Sequence, residues 1–246
     1  RRVGRAHTPV RRAERGPNAL RAVAGAYTRW AGYLAALERA RATVLAGISH
    51  DLRTPLARLR LALEMLEGDP AVREGIARDV DEIDSVIGQF LDYARGADEA
   101  RVDTDVDALL EDIVEGYRRR GLEVALRAAA GRHAVAPTAL RRAVTNLVNN
   151  ALRHGGGPVE VQARRAGDAC VVEVLDRGPG IPASQVERLK QPFTRLNEAR
   201  GAEGGAGLGL AIVERIARAH GGALEFRPRE GGGLVARLVL PGGTQA

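Results

Sequence analysis

The chain has 246 residues, 45% hydrophobic and 28% charged, with a net charge of +6. That length allows one large domain or two small ones, and the composition excludes a fully disordered chain. Aromatics at 3% leave Ala, Val, Leu and Ile to build the core, and one Cys excludes an internal disulfide or a multi-Cys metal site.

The chain opens on a basic run, with Arg1, Arg2, Arg5, Arg11, Arg12 and Arg15 in the first fifteen residues. Such a run reads as a solvated tail, a nucleic-acid arm or a juxtamembrane stretch facing anionic lipid. There is no initiator Met, no signal-peptide pattern and no apolar run long enough to span a bilayer, so the chain reads as a piece of something longer.

Gly16-Pro17-Asn18 signals a helix start, and residues 18–66 read as helix. Leu45, Ile48, Leu52, Leu56, Leu59, Leu63 and Leu66 follow one another at steps of three or four, a coiled-coil-like seam. Gly68-Asp69-Pro70 is a turn, and a second helix to about Arg95 carries Val72, Ile76, Val80, Ile83, Ile87, Phe90 and Ala94. A lone hairpin cannot bury both seams, so the pattern predicts a dimeric four-helix bundle.

The texture changes near Gly96–Arg101. The pattern predicts helices over Val106–Arg120, Pro137–His154 and Leu208–His220. It predicts strands over Leu122–Leu126, Val159–Ala163, Cys170–Leu175, Ala223–Phe226 and Leu234–Leu240. Strand pairs mixed with helices indicate an α+β sandwich, a sheet with helices on one face. Cys170 is expected to be a buried strand residue.

Four segments suit chemistry, although the asparagines taken alone also read as a surface helix face, the Asp176 segment as a simple turn and the glycine run as a flexible loop. In Ser49-His50-Asp51-Leu52-Arg53-Thr54-Pro55-Leu56, His50 lies about 200° around the helix from the seam residues Ile48 and Leu52 and so faces outward. Thr54 shares its face, and Pro55 removes the helix bond back to Asp51. An outward imidazole beside a carboxylate suits a nucleophile and its base, with Asp51 taking the Nδ1 proton and Nε2 attacking, although a surface histidine would look the same. On Pro137–His154, Asn146 and Asn150 stand one turn apart, as amide oxygens suited to Mg²⁺ shared with phosphates, and Arg153 adjoins them. In Asp176-Arg177-Gly178-Pro179-Gly180-Ile181-Pro182 the glycines admit a flat ligand, and the carboxylate can accept a hydrogen bond from an exocyclic amine. Gly204-Gly205-Ala206-Gly207-Leu208-Gly209 runs into a helix, where backbone amides bind anions. The single lysine, Lys190, is followed by Gln191, which excludes a P-loop. No strand immediately precedes the glycines, so the dinucleotide fingerprint does not fit.

The order of these segments, with Gln191-Pro192-Phe193-Thr194-Arg195 between the last two, resembles the sensor histidine kinases of two-component systems. Their ATP-binding domain shares the Bergerat fold of gyrase, Hsp90 and MutL. The resemblance covers about residues 40–242. The run after Asp51 looks most like the osmosensor branch, and residues 16–40 look like part of a HAMP linker. It implies three parts: a basic juxtamembrane or partial HAMP linker over 1–40, a dimerisation and histidine phosphotransfer domain over 41–98, and a catalytic ATP-binding domain over 99–246.

By that similarity His50 is the autophosphorylated nucleophile and Asp51 its base. Thr54 orients water to dephosphorylate a response regulator. Asn150 is the Mg²⁺ ligand, Asn146 a second polar contact, Arg153 a phosphate contact, and His154 a neighbour of the nucleotide. Asp176 reads the adenine amine in a pocket shaped by Gly178 and Gly180. Gly205, Gly207, Leu208 and Gly209 form the edge of a lid that orders around ATP, and Phe193 docks it. The implied partners are a second copy of the chain and a response-regulator receiver domain, with the parent protein in a bacterial inner membrane. Three competitors are a degenerate kinase acting as a scaffold, a gyrase-like ATPase and a nucleic-acid binder. Retention of His50, Asn150 and Asp176 disfavours the first. Asn146 stands where the second would need an acidic base, and the basic run has no interleaved aromatics for the third.

Overall fold

The computed structural model describes residues 70–94, 99–196 and 207–242, with positions 25, 27, 30, 56, 57, 59 and 61–63. His50, Asp51, Thr54, Gly205, the basic start, most of the first predicted helix and the lid segment 197–206 lie outside the described residues. The chain divides into two compact units, Arg1–Gly96 and Ala97–Ala246.

In the first unit, α1 spans Pro70–Ala94, with proline at its first position, where the missing N–H is harmless. The helical positions Leu56 and Leu63 pack with Val80 and Ile87 of α1 into a small core. The predicted seam divides here. Leu59, Val72, Ile76 and Ile83 are exposed, while Leu91, which the pattern did not place on the seam, is buried. The packing seen here covers only part of an apolar stripe this wide, so several seam residues are left outside.

The second unit runs β1 (Val102–Asp105), α2 (Val106–Arg118), β2 (Val124–Ala129), β3 (Arg132–Val135), α3 (Pro137–His154), β4 (Val159–Ala166) and β5 (Ala169–Leu175). A 3₁₀ turn at Ala183–Gln185 and the one-turn α4 (Val186–Leu189) follow, then α5 (Gly209–Ala219), β6 (Ala223–Pro228) and β7 (Leu234–Pro241). The main sheet has the order β2-β4-β5-β7-β6, and β1 pairs with β3 in a separate two-stranded sheet. β2 and β4 are parallel; the other neighbours of the main sheet are antiparallel. One face of this sheet carries Val161, Val174 and Ala236 in register, and beside them Ala163, Val172 and Leu238, all buried under α2, α3 and α5. The small residues Ala139, Ala143, Ala211 and Ala217 let α3 and α5 approach each other closely.

Some predicted elements shift. The strand expected at Leu122–Leu126 begins at Val124, because Leu122 donates its N–H to Tyr117 in the turn that closes α2. α2 itself ends at Arg118 rather than Arg120. β1 and β3 have no sequence signature of their own. Asp103 and Arg132, diagonal across these strands, pair at 2.7 Å, and Asp107 accepts from the Ala130 and Gly131 amides at 2.9 and 3.0 Å to fix the turn between β2 and β3. Cys170 is buried in β5, and burial pushes its thiol up to about 11.

Candidate active site

The C-terminal half of α3 supplies the polar edge of the site. Buried Ala143, Leu147, Val148 and Ala151 anchor the helix, which leaves Asn146 and Asn150 half-buried at its margin and Arg153 and His154 exposed at its end. Asn146 is oriented by an N–H···O bond from its Nδ2 to the Arg142 carbonyl at 2.8 Å, which directs Oδ1 to the start of α5. A Cβ on Gly209 would lie 3.1 Å from that Oδ1. Neighbouring Asn149 acts elsewhere, since its Oδ1 accepts from the Tyr117 hydroxyl at 2.8 Å and so fixes α3 to α2. Partial desolvation and the Arg153 charge hold the His154 imidazole below its ordinary value, against the opposing pull of Asp176.

The loop after β5 meets the end of α3. Asp176 is buried, and its Oδ1 accepts from the Gly178 amide at 2.8 Å and the Leu234 amide at 3.3 Å. Oδ2 accepts no hydrogen bond among the described residues, so the carboxylate is fixed in orientation with one oxygen remaining for a ligand donor. The close approach depends on glycine. A Cβ on Gly178 would lie 2.5 Å from the His154 carbonyl and 2.9 Å from the Gly155 Cα, and one on Gly155 would strike the Ala151 carbonyl and the Asp176 side chain. Gly180 has a φ of +76°, a conformation that other residues adopt only under strain.

Gly207 has a φ of +68°, and a Cβ there would lie 2.9 to 3.0 Å from the backbone of Phe193 and Thr194. Phe193 is a non-glycine residue in the left-handed region, at φ 62°, and is 64% exposed. Buried Leu208 precedes α5 and anchors the point where the glycine segment enters the helix. Asn146, Gly207, Leu208 and Gly209 thus form one junction, while His154, Asp176 and Gly178 form another at the end of the same helix. Asn150 and Arg153 lie on the stretch of α3 between Asn146 and His154.

Several residues that sequence reasoning did not single out hold this frame. α3 lacks a side-chain cap of its own, since its N-cap position is Ala136. Glu99 takes that role from 39 residues away, accepting from the Thr138 and Ala139 amides at 3.1 and 2.8 Å. Although burial would raise its carboxyl, the hydrogen bonds from Thr138 and Ala139 and the Arg142 charge hold it below its ordinary value. His220, at the end of α5, donates from Nδ1 to the Ile216 carbonyl at 2.8 Å and accepts at Nε2 from the Ala136 amide at 3.0 Å. Those two bonds require the neutral ring. Desolvation depresses its titration, against the Ile216 bond, and the Arg101 charge lowers it further. Arg101 caps α5 at the Ala219 carbonyl, 2.7 Å away. Nothing in residue spacing marks these long-range contacts.

Comparison with known proteins places the two halves in sequence. Residues 40–99 match the family model of the His Kinase A (phospho-acceptor) domain. Residues 135–244 match that of the histidine kinase-, DNA gyrase B- and HSP90-like ATPases. The sensor histidine kinase GtrS of Pseudomonas aeruginosa is 36% identical over 230 residues, covering 93% of this chain and 48% of that protein. The chain belongs to the sensor histidine kinases. Sensor histidine kinase CpxA of Escherichia coli is 31% identical over 241 residues, 93% of this chain and 53% of that protein. This sensor kinase chain therefore spans about half the length of the curated relatives it matches. Among solved structures, full-length ShkA in complex with AMPPNP superposes with a TM-score of 0.65 at 25% identity, over 83% of this chain and 46% of that one. Mycobacterial sensor histidine kinase MprB superposes with a TM-score of 0.50 at 28% identity, over 58% and 97%.

Among the described residues no helix is long and apolar enough to cross a membrane. Nor do three or more His, Cys, Asp or Glu residues gather there in a way that could hold a metal ion. Half-buried Asn150 offers an amide oxygen on this face of α3. Such a neutral hard-oxygen donor suits Mg²⁺ shared with phosphates.

Proposed function

We propose that this chain is the kinase core of a two-component sensor, an ATP-dependent protein-histidine autokinase. The observation that carries the reading is the convergence of Asn146, Asp176 and the Gly207–Gly209 turn about the two ends of one stretch of α3. It supports a nucleotide lying along that helix, with its base at Asp176 and its phosphates toward the start of α5. Asp176 Oδ2 accepts from the adenine amine, and Gly178 and Gly180 admit the ring. Asn150 is the Mg²⁺ ligand, Asn146 a second polar contact, Arg153 a phosphate contact, and His154 flanks the nucleotide. Gly205, Gly207, Leu208 and Gly209 form the lid edge, and Phe193 docks it. Bound Mg²⁺ supplies charge neutralisation at the phosphates, and the protein positions the rest.

In the proposed reaction His50 Nε2 forms the bond to the γ-phosphorus while the bond to the bridging oxygen breaks and ADP leaves. Asp51 takes the Nδ1 proton. The phosphoryl group then passes to an aspartate of a response regulator, and Thr54 orients water for the opposing, hydrolytic reaction. Domain assignments of 41–98 for phosphotransfer and 99–246 for ATP binding follow, with 1–40 as a juxtamembrane linker. Osmosensor-branch membership rests on the run Arg53–Ala62. The exposed Leu59, Val72, Ile76 and Ile83 support a homodimer in which a second hairpin covers them. The sensor names of the relatives support a membrane-anchored parent.

The test is incubation of the chain with γ-labelled ATP and Mg²⁺ beside His50→Gln. Acid-labile, base-stable label that vanishes in the variant is expected. Label that persists in His50→Gln, or no label despite ATP binding, would sink the reading.

A further inference from the structure

The hairpin turn between β6 and β7, Arg229-Glu230-Gly231-Gly232-Gly233, is absorbed by none of the roles above, yet it closes directly on Asp176. Gly231, Gly232 and Gly233 all have positive φ, and a Cβ on Gly233 would overlap the Asp176 carbonyl. The backbone of the turn is therefore flush against the peptide of the base-contacting residue. Leu234, which follows the turn, accepts from the Asp176 amide at 3.0 Å and donates to its Oδ1 at 3.3 Å.

Two guanidinium groups hold the turn there. Arg177 donates from one nitrogen to the Glu230 and Gly232 carbonyls at 2.9 and 3.1 Å. Arg229 donates from one nitrogen to the Asp176 carbonyl at 3.3 Å and from the other to Glu160 Oε2 at 3.0 Å. The Arg229 and Glu160 side chains are 15% and 14% exposed, so the pair is largely screened from water. Glu160 sits on β4, an interior strand next to the β2 edge of the sheet, and is also paired with Arg127 of β2 at 3.1 Å. Arg229 thus ties the Asp176 peptide to an interior strand of the sheet, and its two-pronged geometry suits bridging a carbonyl and a carboxylate at once.

We infer that Arg229 is a positioning residue that, with Glu160, sets selectivity for a purine nucleotide bearing an exocyclic amine. It touches no ligand itself; it fixes the peptide from which the Asp176 carboxylate projects. A carboxylate that drifts by a fraction of an ångström loses a short, directional bond to the amine but little of the stacking that any purine enjoys. This inference rests on the reading of Asp176 as the group that meets the base amine.

The test is calorimetric binding of ADP and of purine riboside 5′-diphosphate, which lacks the amine, to the full chain and to Arg229→Met, Arg229→Lys, Glu160→Gln and Asp176→Asn. Arg229→Met is expected to weaken ADP about tenfold and the amine-free nucleotide less than about twofold, with Glu160→Gln in the same direction and smaller. Arg229→Lys, which keeps charge without the fork, gives an intermediate, still amine-selective loss, and it decides the matter if Arg229→Met does not fold. Equal losses for both nucleotides, or none, in the Arg229 variants overturn the inference while selectivity loss in Asp176→Asn leaves the Asp176 reading standing. If Asp176→Asn also treats the two nucleotides alike, both fall together.

Discussion

Truncating Glu99 to alanine removes the side-chain cap on α3, the helix that carries Asn146, Asn150 and Arg153. The Thr138 and Ala139 amides, bonded at 3.1 and 2.8 Å, lose their acceptor, and Pro137 has no N–H to satisfy. Loss of a side-chain N-cap costs about 0.5–2 kcal/mol, and loss of a negative charge at the positive end of the helix a further ~0.3–1 kcal/mol. Because Glu99 is partly exposed, water replaces some of what is lost, so the net is about 1–2 kcal/mol. For a unit spanning Ala97–Ala246 that corresponds to a melting shift of about 3–6 °C.

The cost is also pH-dependent. Glu99 titrates below its ordinary value when folded, so the unfolded chain takes up the proton first as the pH falls. Its contribution is complete above the ordinary carboxylate range and disappears as the pH drops through that range to the folded value. Urea unfolding of wild type and Glu99→Ala at pH 7 and again near pH 3.5 measures both effects. A gap that is absent at pH 7, or equal at the two pH values, refutes the capping argument.

Other outcomes follow from the same frame. His220 is neutral and bonded at both ring nitrogens, with its titration depressed, so the unfolded ring protonates first on acidification. Its contribution to stability is lost as the pH falls from about 7 through 6.5 toward the folded value, and urea midpoints of His220→Gln should lack that part of the slope. Tyr117→Phe removes the donor to Asn149 Oδ1 and should cost about 1 kcal/mol in urea titration while ADP affinity changes little, because Asn149 holds α2 rather than the ligand. Gly178→Ala forces its new methyl against the His154 carbonyl and the Gly155 Cα, both backbone, and should cost about 1–3 kcal/mol by thermal unfolding and weaken ADP binding in calorimetry. Retained wild-type stability in Gly178→Ala would show that the loop and helix can part without cost.

Local sequence patterns pointed to the candidate site residues and to most of the elements. Asn146 and Asn150 recur at helical spacing, Asp176 follows an apolar strand and precedes two glycines, and Gly207-Leu208-Gly209 stands at a helix start. These are local patterns, and local patterns are what propensity, periodicity and turn chemistry encode. The predicted helix Pro137–His154 matches α3 in full for that reason. The tertiary structure decided what has no local signature. β1 and β3 exist because each supplies the other's hydrogen bonds, and β2 turned out to pair in parallel with β4, a choice no single strand records. It also decided which seam residues are covered, since Leu59 and Leu63 look alike in the repeat and differ only in what packs over them. Above all it decided the supports of the site: Glu99 with α3, His220 with Ala136, Arg229 with Asp176. Each joins groups dozens of residues apart, and a hydrogen bond needs its partners within about 3 Å, a condition only the folded chain imposes.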